Sequence, residues 1–234
     1  MEVFDKPRTL IQMYNVAKRY GPRTALVDIR LTVADNEFLF LSGPSGAGKT
    51  TLLKLLYLGE PASEGQIIVD GINLARISRR RVPELRRKFG IVFQDFKLIP
   101  NRNIYDNIAL VVEAVGAPRR MVRKKVRNLL RTVGMDGRGR ALPASLSGGE
   151  QQRVAVARAI AGNPKIIVAD EPTGSLDAEA ADAVMDLLHL YHRRGATVII
   201  ATHDTELIRT TGGRVVLLKA GRLETSTVIP ALPR

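Results

Sequence analysis

Apolar positions follow two different periods along this chain, and the alternation of these periods predicts a mixed α/β fold. Strand-like runs with a period of two end at turn residues, and they cover 10–16, 26–33, 37–42, 66–70, 89–93, 165–170, 196–201 and 214–219. Helical patterns with a period near 3.6 residues cover 49–57, 82–88, 104–115, 119–133, 148–161, 179–193 and 204–210. From residue 160 onward strands and helices alternate, which predicts a parallel sheet covered by helices.

The pattern also predicts how the chain is organised. The stretch 95–157 is almost entirely helical, so we interpret it as a helical insert in an α/β core. The sequence TSTVIPALPR, from Thr225 onward, has two prolines and little periodicity, and we expect it to be loosely ordered. We expect a single domain, 1–234, that divides into a core at about 1–94 and 158–228, a helical subdomain at about 95–157 and a loose tail at 229–234.

Charge is the unusual bulk property of this chain. Its 36 basic and 23 acidic residues give a net charge of +13. Such a surplus suggests a polyanionic partner, whether nucleic acid, an anionic membrane surface or nucleotide phosphates, although the charge taken alone favours a solvated basic surface without a specific ligand. In the basic run Arg119–Arg131 apolar residues recur at helical spacing. The basic residues of this run are therefore expected on the solvated face of a helix.

Three absences narrow the class of protein. No apolar stretch approaches the roughly 18 residues that a membrane-spanning helix needs. The beginning of the chain, MEVFDKPRTL, has no apolar signal core. The sequence contains no cysteine, so disulfide and thiolate chemistry are excluded. Together these features lead us to expect a cytoplasmic protein.

The strongest motif is the sequence GPSGAGKT at Gly43–Thr50, which follows a short apolar strand and opens a helix. In this context the motif predicts a phosphate-binding loop, because its glycines let backbone N–H groups point at one anion and the helix N-terminus adds positive charge. Lys49 supplies a full charge at the phosphates, and the Thr50 hydroxyl is suited to ligate Mg²⁺. A chance glycine-rich turn is the alternative. The expected nucleotide contacts are Gly43, Pro44, Ser45, Gly46, Ala47, Gly48, Lys49, Thr50 and Thr51.

A second motif, KIIVADEP at Lys165–Pro172, ends an apolar strand in two carboxylates. Carboxylates at the carboxyl end of a parallel strand face the crevice where α/β sheets bind ligands. We therefore expect Asp170 to hold Mg²⁺ through water and Glu171 to polarise the water that attacks the terminal phosphate. Taken alone, such a pair could merely cap a helix.

The third motif, SLSGGEQQRVAVARAI at Ser145–Ile160, opens another helix with Ser147, Gly148 and Gly149. This N-terminus is also suited to bind an anion. One nucleotide does not need two such cradles from one subunit, so a head-to-tail dimer is the simple solution. A Ser N-cap with Glu150 as its capping partner explains part of the motif without any ligand.

Over nearly its whole length, this combination of motifs resembles the ABC-type ATPase family. The resemblance implies an α/β P-loop NTPase fold: an ABC nucleotide-binding domain with a RecA-like core, an N-terminal antiparallel β-subdomain and an inserted helical subdomain. It also implies that ATP and Mg²⁺ are bound, that ATP is hydrolysed to ADP and phosphate, and that two protomers form a homodimer around two nucleotides.

The resemblance further assigns roles to individual residues. It identifies LSGGE as the signature motif, whose Ser147, Gly148, Gly149 and Glu150 contact nucleotide. Gln94, at the end of a predicted strand, matches the glutamine that reaches the metal and the attacking water.

Three more residues match the family pattern. Asp177 lies in GSLD, the segment that crosses the dimer interface, and His203 matches the histidine that contacts the γ-phosphate. His203 also ends an apolar strand, as Asp170 does. Tyr20 matches the aromatic residue that stacks on adenine, although an aromatic residue could equally pack in a core.

The segment after Gln94 bears on the partner. In the family, the groove that follows this glutamine receives a cytoplasmic helix of a membrane subunit, and here Phe96–Leu110 would line it. The sequences at Val82–Leu110 and at 46–61 are similar to the cell-division branch, whose ATPase works on the cytoplasmic face of the inner membrane with a membrane protein that regulates cell-wall hydrolysis at the septum.

Other functions remain open from the sequence. ATPases of lipoprotein-release and macrolide-export transporters share these motifs. A soluble ATPase acting on nucleic acid would explain the charge, but the chain has neither a long coiled-coil insertion nor a second cassette, and we expect no nucleic-acid partner. A regulated scaffold that binds ATP without turnover is a further alternative. We expect part of the positive charge to face the anionic inner leaflet.

Overall fold

The computed structural model describes residues 8–230. The strands are β1 (Thr9–Tyr20), β2 (Arg23–Ala34), β3 (Phe38–Ser42), β4 (Glu64–Val69), β5 (Ile72–Asn73), β6 (Phe89–Val92), β7 (Ile166–Asp170), β8 (Thr197–Thr202), β9 (Gly213–Lys219) and β10 (Arg222–Ile229). The helices are α1 (Lys49–Leu56), α2 (Val82–Arg87), α3 (Ile104–Ala114), α4 (Arg119–Thr132), α5 (Gly148–Ile160), α6 (Ala178–Arg193) and α7 (Thr205–Thr211), with 3₁₀ turns at Arg79–Arg81 and Pro143–Ser145.

The chain divides into two compact units. One contains the described parts of Met1–Arg86 and Ala201–Arg234, and the other is Arg87–Ile200. All the predicted strands and helices are confirmed, with β1 and β2 longer than their patterns indicated. The predicted helical stretch 95–157 lies within the second unit and contains α3, α4 and most of α5.

The first unit contains an antiparallel sheet with strand order β2-β1-β4-β5. In β1 the side chains of Ile11, Met13 and Val16 are buried, and Met13 is paired with Leu31 of β2 and Ile67 of β4. Every one of these apolar partners is itself buried, so the register follows from the need to place one face of each strand in the core. This sheet confirms the expected N-terminal antiparallel subdomain.

The first unit also contains the hydrogen-bonded strands β3, β9 and β10. Phe40 of β3 is paired in parallel with Val215 of β9, and β10 runs antiparallel to β9. The expectation that the chain is loose from Thr225 onward is therefore wrong as far as Ile229, which is paired with Gly213. The β-branched residues of this run favour a strand once β9 offers an edge to pair with. The end of the predicted tail, 231–234, lies outside the described residues.

The second unit places β7 between β6 and β8. β6 and β7 are parallel, with Gly90 opposite Ile167. A side chain at residue 90 would place its Cβ 2.5 Å from the Ala159 carbonyl oxygen, so the glycine permits close packing of α5 on β6. The helices α3, α4 and α5 contact one another. Among the described helices, none combines the length and apolarity that crossing a membrane requires.

Candidate active site

The phosphate loop connects β3 to α1 by a path that only glycine permits at two positions. Gly43 has a φ of +151°, and a Cβ there would lie 2.1 Å from the Leu218 carbonyl oxygen. Gly48 has a φ of +109°, and its Cβ would meet Leu26 Cδ2 at 2.8 Å. The loop therefore packs closely against Leu218 and Leu26. These contacts, as well as the flexibility of glycine, determine the path of its backbone.

The beginning of α1 has the backbone features of an anion-binding helix end. Pro44, Ser45 and Gly46 are exposed at the loop tip. Gly48 caps α1 without a side-chain hydrogen bond, and the first turn of this described helix contains no acidic residue. Backbone N–H groups at such an N-terminus lack intrahelical partners and carry partial positive charge.

Lys49 lies inside the loop rather than in solvent. Its Nζ donates hydrogen bonds to the carbonyl oxygens of Gly43 at 2.7 Å and Pro44 at 3.3 Å, and the residue is only 7% exposed. The ammonium group is therefore held at the loop that its charge is expected to serve. Next to it, Thr50 is exposed and Thr51 is half-buried.

Tyr20, at the end of β1, belongs to a small polar cluster beside this helix. Its ring is 41% exposed, so it does not pack in a core. The Lys18 ammonium lies 4.8 Å from the ring centroid, and the Tyr20 hydroxyl is hydrogen-bonded to the side chains of Glu60 and Thr51. The structure therefore brings Tyr20 together with the helix that carries the phosphate loop.

Glu60 holds this cluster together. Its carboxylate accepts from the Tyr20 hydroxyl, and it lies 3.2 Å from Lys18 Nζ and 3.4 Å from Lys54 Nζ. The hydrogen bond from Tyr20, followed by the contacts of the two lysines, holds the pKa of Glu60 below its ordinary value. Desolvation and the acceptor carboxylate raise the pKa of Tyr20. A neutral, hydrogen-bonded phenol results.

His203 follows β8 at a sharply defined turn. The Asp204 carboxylate accepts hydrogen bonds from the backbone N–H groups of Glu206 and Leu207, both at 2.9 Å, and so caps α7. The Asp204 N–H donates to the Thr202 hydroxyl at 3.0 Å. These neighbours orient the exposed His203 at the carboxyl end of β8, as the sequence predicted.

In the second unit, Gln94 follows β6 and is exposed. The chain just after it makes an unusual turn, with φ values of +57° at Phe96 and +49° at Lys97. Arg158 of α5 donates to both carbonyl oxygens of this turn, to Phe96 at 2.7 Å and to Lys97 at 2.5 Å. The segment that carries Gln94 is therefore attached to α5.

The two carboxylates of the second motif end β7 as predicted. Asp170 is the last residue of the strand, and both it and Glu171 are partly exposed. Glu171 has a φ of +47°, a left-handed conformation that is strained for a residue with a side chain. Strain of this kind is common at functional sites, where the surrounding structure maintains it.

The beginning of α5 is stabilised by a capping box and is also accessible to solvent. The Ser147 hydroxyl accepts from the Glu150 N–H at 3.2 Å, and the Ser147 N–H donates to Glu150 Oε2 at 2.9 Å. Glu150 also pairs with Arg138. This is the capping box that the sequence offered as an alternative, so the Glu150 carboxylate has a structural role. Gly148, by contrast, is exposed with open space around it.

The third motif also packs against the beginning of α6. A Cβ at Gly149 would lie 2.9 Å from Ala180 Cβ, so this glycine permits α5 and α6 to pack closely. Asp177 caps α6 by accepting a hydrogen bond from the Ala180 N–H at 2.8 Å. The second unit therefore brings the predicted residues at the start of α5 and at the start of α6 onto neighbouring turns.

Four residues of these arrangements were not predicted as site residues: Lys18, Glu60, Gln152 and Arg158. Gln152 could have been found, because it is a polar residue among the apolar positions of α5. The cluster of Lys18 and Glu60 carries no such signal, since its members are 42 residues apart and meet only in the folded unit.

Comparison with known proteins identifies the family of this chain. Residues 26–174 match the profile of the ABC transporter family. The chain is 42% identical to the cell division ATP-binding protein FtsE of Streptococcus pneumoniae over 92% of this chain and 94% of that protein. It is 41% identical to the protein of the same name from Escherichia coli, over 92% and 97% of the respective chains.

Among solved structures, the chain is similar to a dimeric ATP-binding cassette, MJ0796, in a post-hydrolysis state bound to ADP and phosphate. The TM-score is 0.87 at 34% sequence identity, and the match covers 95% of this chain and 100% of that one. These similarities extend over the phosphate loop, the carboxylates after β7 and the motif that opens α5. The chain therefore belongs to the ABC transporter family.

Proposed function

We propose that this chain is the ATP-binding and ATP-hydrolysing subunit of a cell-division ABC complex. The observation that carries the proposal is the phosphate loop itself, in which Lys49 donates hydrogen bonds to the carbonyl oxygens of Gly43 and Pro44 at the beginning of α1. The identity of more than 40% with FtsE proteins over more than nine tenths of their length supports the cell-division assignment.

Each predicted residue has a role in this reaction. Lys49 and the loop N–H groups neutralise the phosphates, and Tyr20 stacks on the adenine base. Glu171 polarises the attacking water, while Gln94 and His203 contact the terminal phosphate region.

The side-chain types of the proposed metal ligands, a hydroxyl, a carboxylate and an amide, suit Mg²⁺. Thr50 presents an exposed hydroxyl in the first turn of α1, Asp170 ends β7, and Gln94 contributes an amide oxygen. Within residues 8–230, no three His, Cys, Asp or Glu side chains form a dedicated metal cluster. This suits an ion that is bound mainly by substrate phosphates, water and one or two protein groups. When bound, Mg²⁺ would neutralise charge on the phosphates.

We further propose that the protein works as a homodimer around two nucleotides. The exposed Gly148 and the Ser147 cap form a second anion-binding helix end, and Asp177 begins the neighbouring helix. In a head-to-tail pair this end of one protomer closes over the nucleotide of the other. Hydrolysis then removes the γ-phosphate contacts that hold the pair closed.

The segment Phe96–Leu110 has properties that suit docking of a membrane subunit of FtsX type. The buried side chain of Asn107 forms hydrogen bonds with the backbone of Ile99, Arg102 and Asn103, and these bonds define the turn before α3. Around this framework, residues 100–102 and Leu110 are exposed. We propose that a helix of a membrane partner docks on this surface. That contact would localise this chain to the cytoplasmic face of the inner membrane.

A pull-down distinguishes this partner from the alternatives. The bait is the Glu171→Gln protein loaded with Mg·ATP, and the source is detergent-solubilised membrane from the cells that encode it. We expect recovery of a four-helix membrane protein with a large extracytoplasmic domain. Recovery of a lipoprotein-release or macrolide-export permease instead would contradict the cell-division assignment. Recovery of nucleic acid without a membrane protein would contradict any membrane partner.

We also propose that helix α4 contacts the anionic inner leaflet. Its sequence RRMVRKKVRNLLRT contains seven basic residues and no acidic one, and two arginines occupy the first turn, where the helix dipole disfavours positive charge. Arg123, Arg127 and Arg131 follow one another at four-residue spacing, which adds repulsion. With Arg140 they line a cavity of about 650 Å³. Anionic headgroups would relieve this repulsion.

Vesicle sedimentation tests the contact. Changing Arg123 and Arg127 together to Gln should weaken binding to phosphatidylglycerol vesicles by roughly 30-fold, since each basic residue near an anionic surface contributes about 1 kcal/mol. The control is the same double change at the exposed residues Arg79 and Arg80, which alters net charge equally. Equal loss in both variants, or equal binding to phosphatidylcholine vesicles, would refute a specific role for α4.

A further inference from the structure

Gln152 is a buried polar residue in α5 whose hydrogen bonding is only half satisfied. The residue is 1% exposed and lies among the buried residues Val154, Ala155 and Val156. Its Nε2 donates to the Pro172 carbonyl oxygen at 2.7 Å. The orientation of the amide is thereby fixed, because only the nitrogen can donate to a carbonyl. Its Oε1 is buried and finds no partner among residues 8–230.

A buried amide oxygen without a partner destabilises the folded chain, so an apolar residue would suit this position better for packing alone. What Gln152 provides in addition is the bond to Pro172. Native buried groups that remain unsatisfied call for an explanation beyond stability. The partner of this bond suggests what that explanation is.

Pro172 directly follows Glu171, whose φ of +47° is strained. Conformations of this kind persist only when neighbouring contacts hold them. The hydrogen bond from Gln152 holds the carbonyl group of the next residue, while the turn bond from the Gly174 N–H to the Glu171 carbonyl oxygen is long, at 3.4 Å. The short hydrogen bond from the Gln152 amide to the Pro172 carbonyl oxygen thus helps to fix the backbone next to Glu171.

Gln152 also links the backbone next to Glu171 to the beginning of α5. Gln152 lies four residues after Gly148, about 6 Å along the helix axis. The capping box makes this first turn of α5 a well-defined structure. A displacement of Ser147–Gly149 therefore carries Gln152 with it, and the bond to Pro172 passes the displacement to the backbone that bears Glu171.

We propose that Gln152 is a positioning residue that ties Glu171 to the exposed end of α5, so that a nucleotide held there by the partner protomer sets the position of Glu171. This inference rests on the proposed function, in which Glu171 polarises the attacking water and Ser147–Gly149 contact the partner's nucleotide. It adds a route by which the occupancy of one site of the dimer controls hydrolysis at the other.

Gln152→Met tests the route because it removes the donor and the unsatisfied oxygen while it conserves shape and flexibility. If Gln152 has no positioning role, this variant should be as active as the wild type. We expect a small change in the thermal unfolding midpoint, because loss of the unsatisfied oxygen offsets loss of the bond to Pro172. We expect the KM for ATP to be unchanged and kcat to fall by about 10- to 100-fold, as for a misplaced catalytic group. Turnover is expressed per bound nucleotide, which corrects for any unfolded fraction.

The matched control is Gln151→Met on the same helix. The Gln151 side chain donates to the Leu146 carbonyl oxygen at 3.2 Å and has no bond to Pro172. We expect its kcat to remain that of the wild type. Gln152→Leu serves as the second variant if Gln152→Met is insoluble, and the same values are expected.

A double-mutant cycle identifies the group through which Gln152 acts. In the Glu171→Gln background, Gln152→Met should cause no further loss of the residual turnover, because the residue it positions is already inactive. An equal fold-loss in both backgrounds, or an unchanged kcat in the wild-type background, overturns the inference. An inactive Glu171→Gln with a fully active Gln152→Met refutes the inference alone. Wild-type turnover in Glu171→Gln refutes the proposed role of Glu171 as well.

Discussion

At the scale of single residues, the phosphate loop contains glycines that are required for different reasons. Gly43 is confined by the Leu218 carbonyl oxygen, whereas a Cβ at Gly46 would meet nothing within 4 Å, although Gly46 also has a positive φ, of +78°. The motif predicted both glycines equally. Only the folded unit shows which of them is confined by a neighbouring strand.

We expect Gly43→Ala to cost on the order of 4 kcal/mol of unfolding free energy, since its Cβ would overlap a backbone atom that cannot move aside. Gly46→Ala should cost about 1–2 kcal/mol, the price of a left-handed conformation alone. Urea unfolding of the two variants measures both values. Equal losses would show that contact with Leu218 does not determine the loop path.

Glu60 predicts a specific pH dependence of stability. Its pKa in the folded chain lies below its ordinary value of 4.5 because of the hydrogen bond from Tyr20 and the contacts with Lys18 and Lys54. A carboxyl group with a depressed pKa stabilises the fold above its unfolded pKa, and this stabilisation is lost as the pH falls through its folded pKa.

Glu60→Gln should therefore be less stable than the wild type at neutral pH, and the difference should shrink as the pH falls below 4.5. Urea unfolding at a series of pH values measures it. Glu64→Gln is the control, because Glu64 pairs with Arg19 at the surface and such pairs contribute little. A stability difference for Glu60→Gln that stays constant with pH would contradict this account.

At the scale of elements, the sequence predicted the existence and type of most helices and strands because their apolar periods are long and regular. β5 escaped prediction because it has only two residues. β10 escaped because two prolines follow it, at 230 and 233, and because most of its residues are exposed, although it forms a hairpin with β9. The links made by α5 were also invisible, since they join its side chains to backbone carbonyls that are distant in sequence.

Arg158 provides a test of one of these links. Arg158→Met removes two charge-assisted hydrogen bonds to the positive-φ turn at Phe96 and Lys97. We expect a loss of about 2 kcal/mol of unfolding free energy and faster amide exchange in the segment 94–100. Hydrogen exchange read by mass spectrometry measures the second effect.

Arg153→Met is the matched control for this test. Arg153 lies on the same helix, but it donates to the Val133 carbonyl oxygen at 3.1 Å, after α4. This variant should lose stability without faster exchange in 94–100. If both variants speed exchange there equally, Arg158 has no specific role in holding the turn.

At the scale of the whole molecule, the sequence predicted one family and one candidate site but left several partners open. The motif residues lie at the ends of strands and the beginnings of helices. Their local positions therefore follow from the order of the elements along the chain. The surfaces of α4 and of Phe96–Leu110 depend on three-dimensional packing, and the identity of what they contact depends on other molecules. The proposed dimer is the property of the whole molecule on which the hydrolytic cycle rests.

The most direct test of that cycle is the mass of the Glu171→Gln protein by light scattering with and without Mg·ATP. We predict about twice the 25.7 kDa of one chain with nucleotide and a single chain without it, because the uncleaved γ-phosphate keeps the pair closed. Adding Ser147→Arg, which crowds the exposed end of α5, should leave nucleotide bound but the protein monomeric. A Glu171→Gln protein that binds Mg·ATP and remains monomeric would contradict the account.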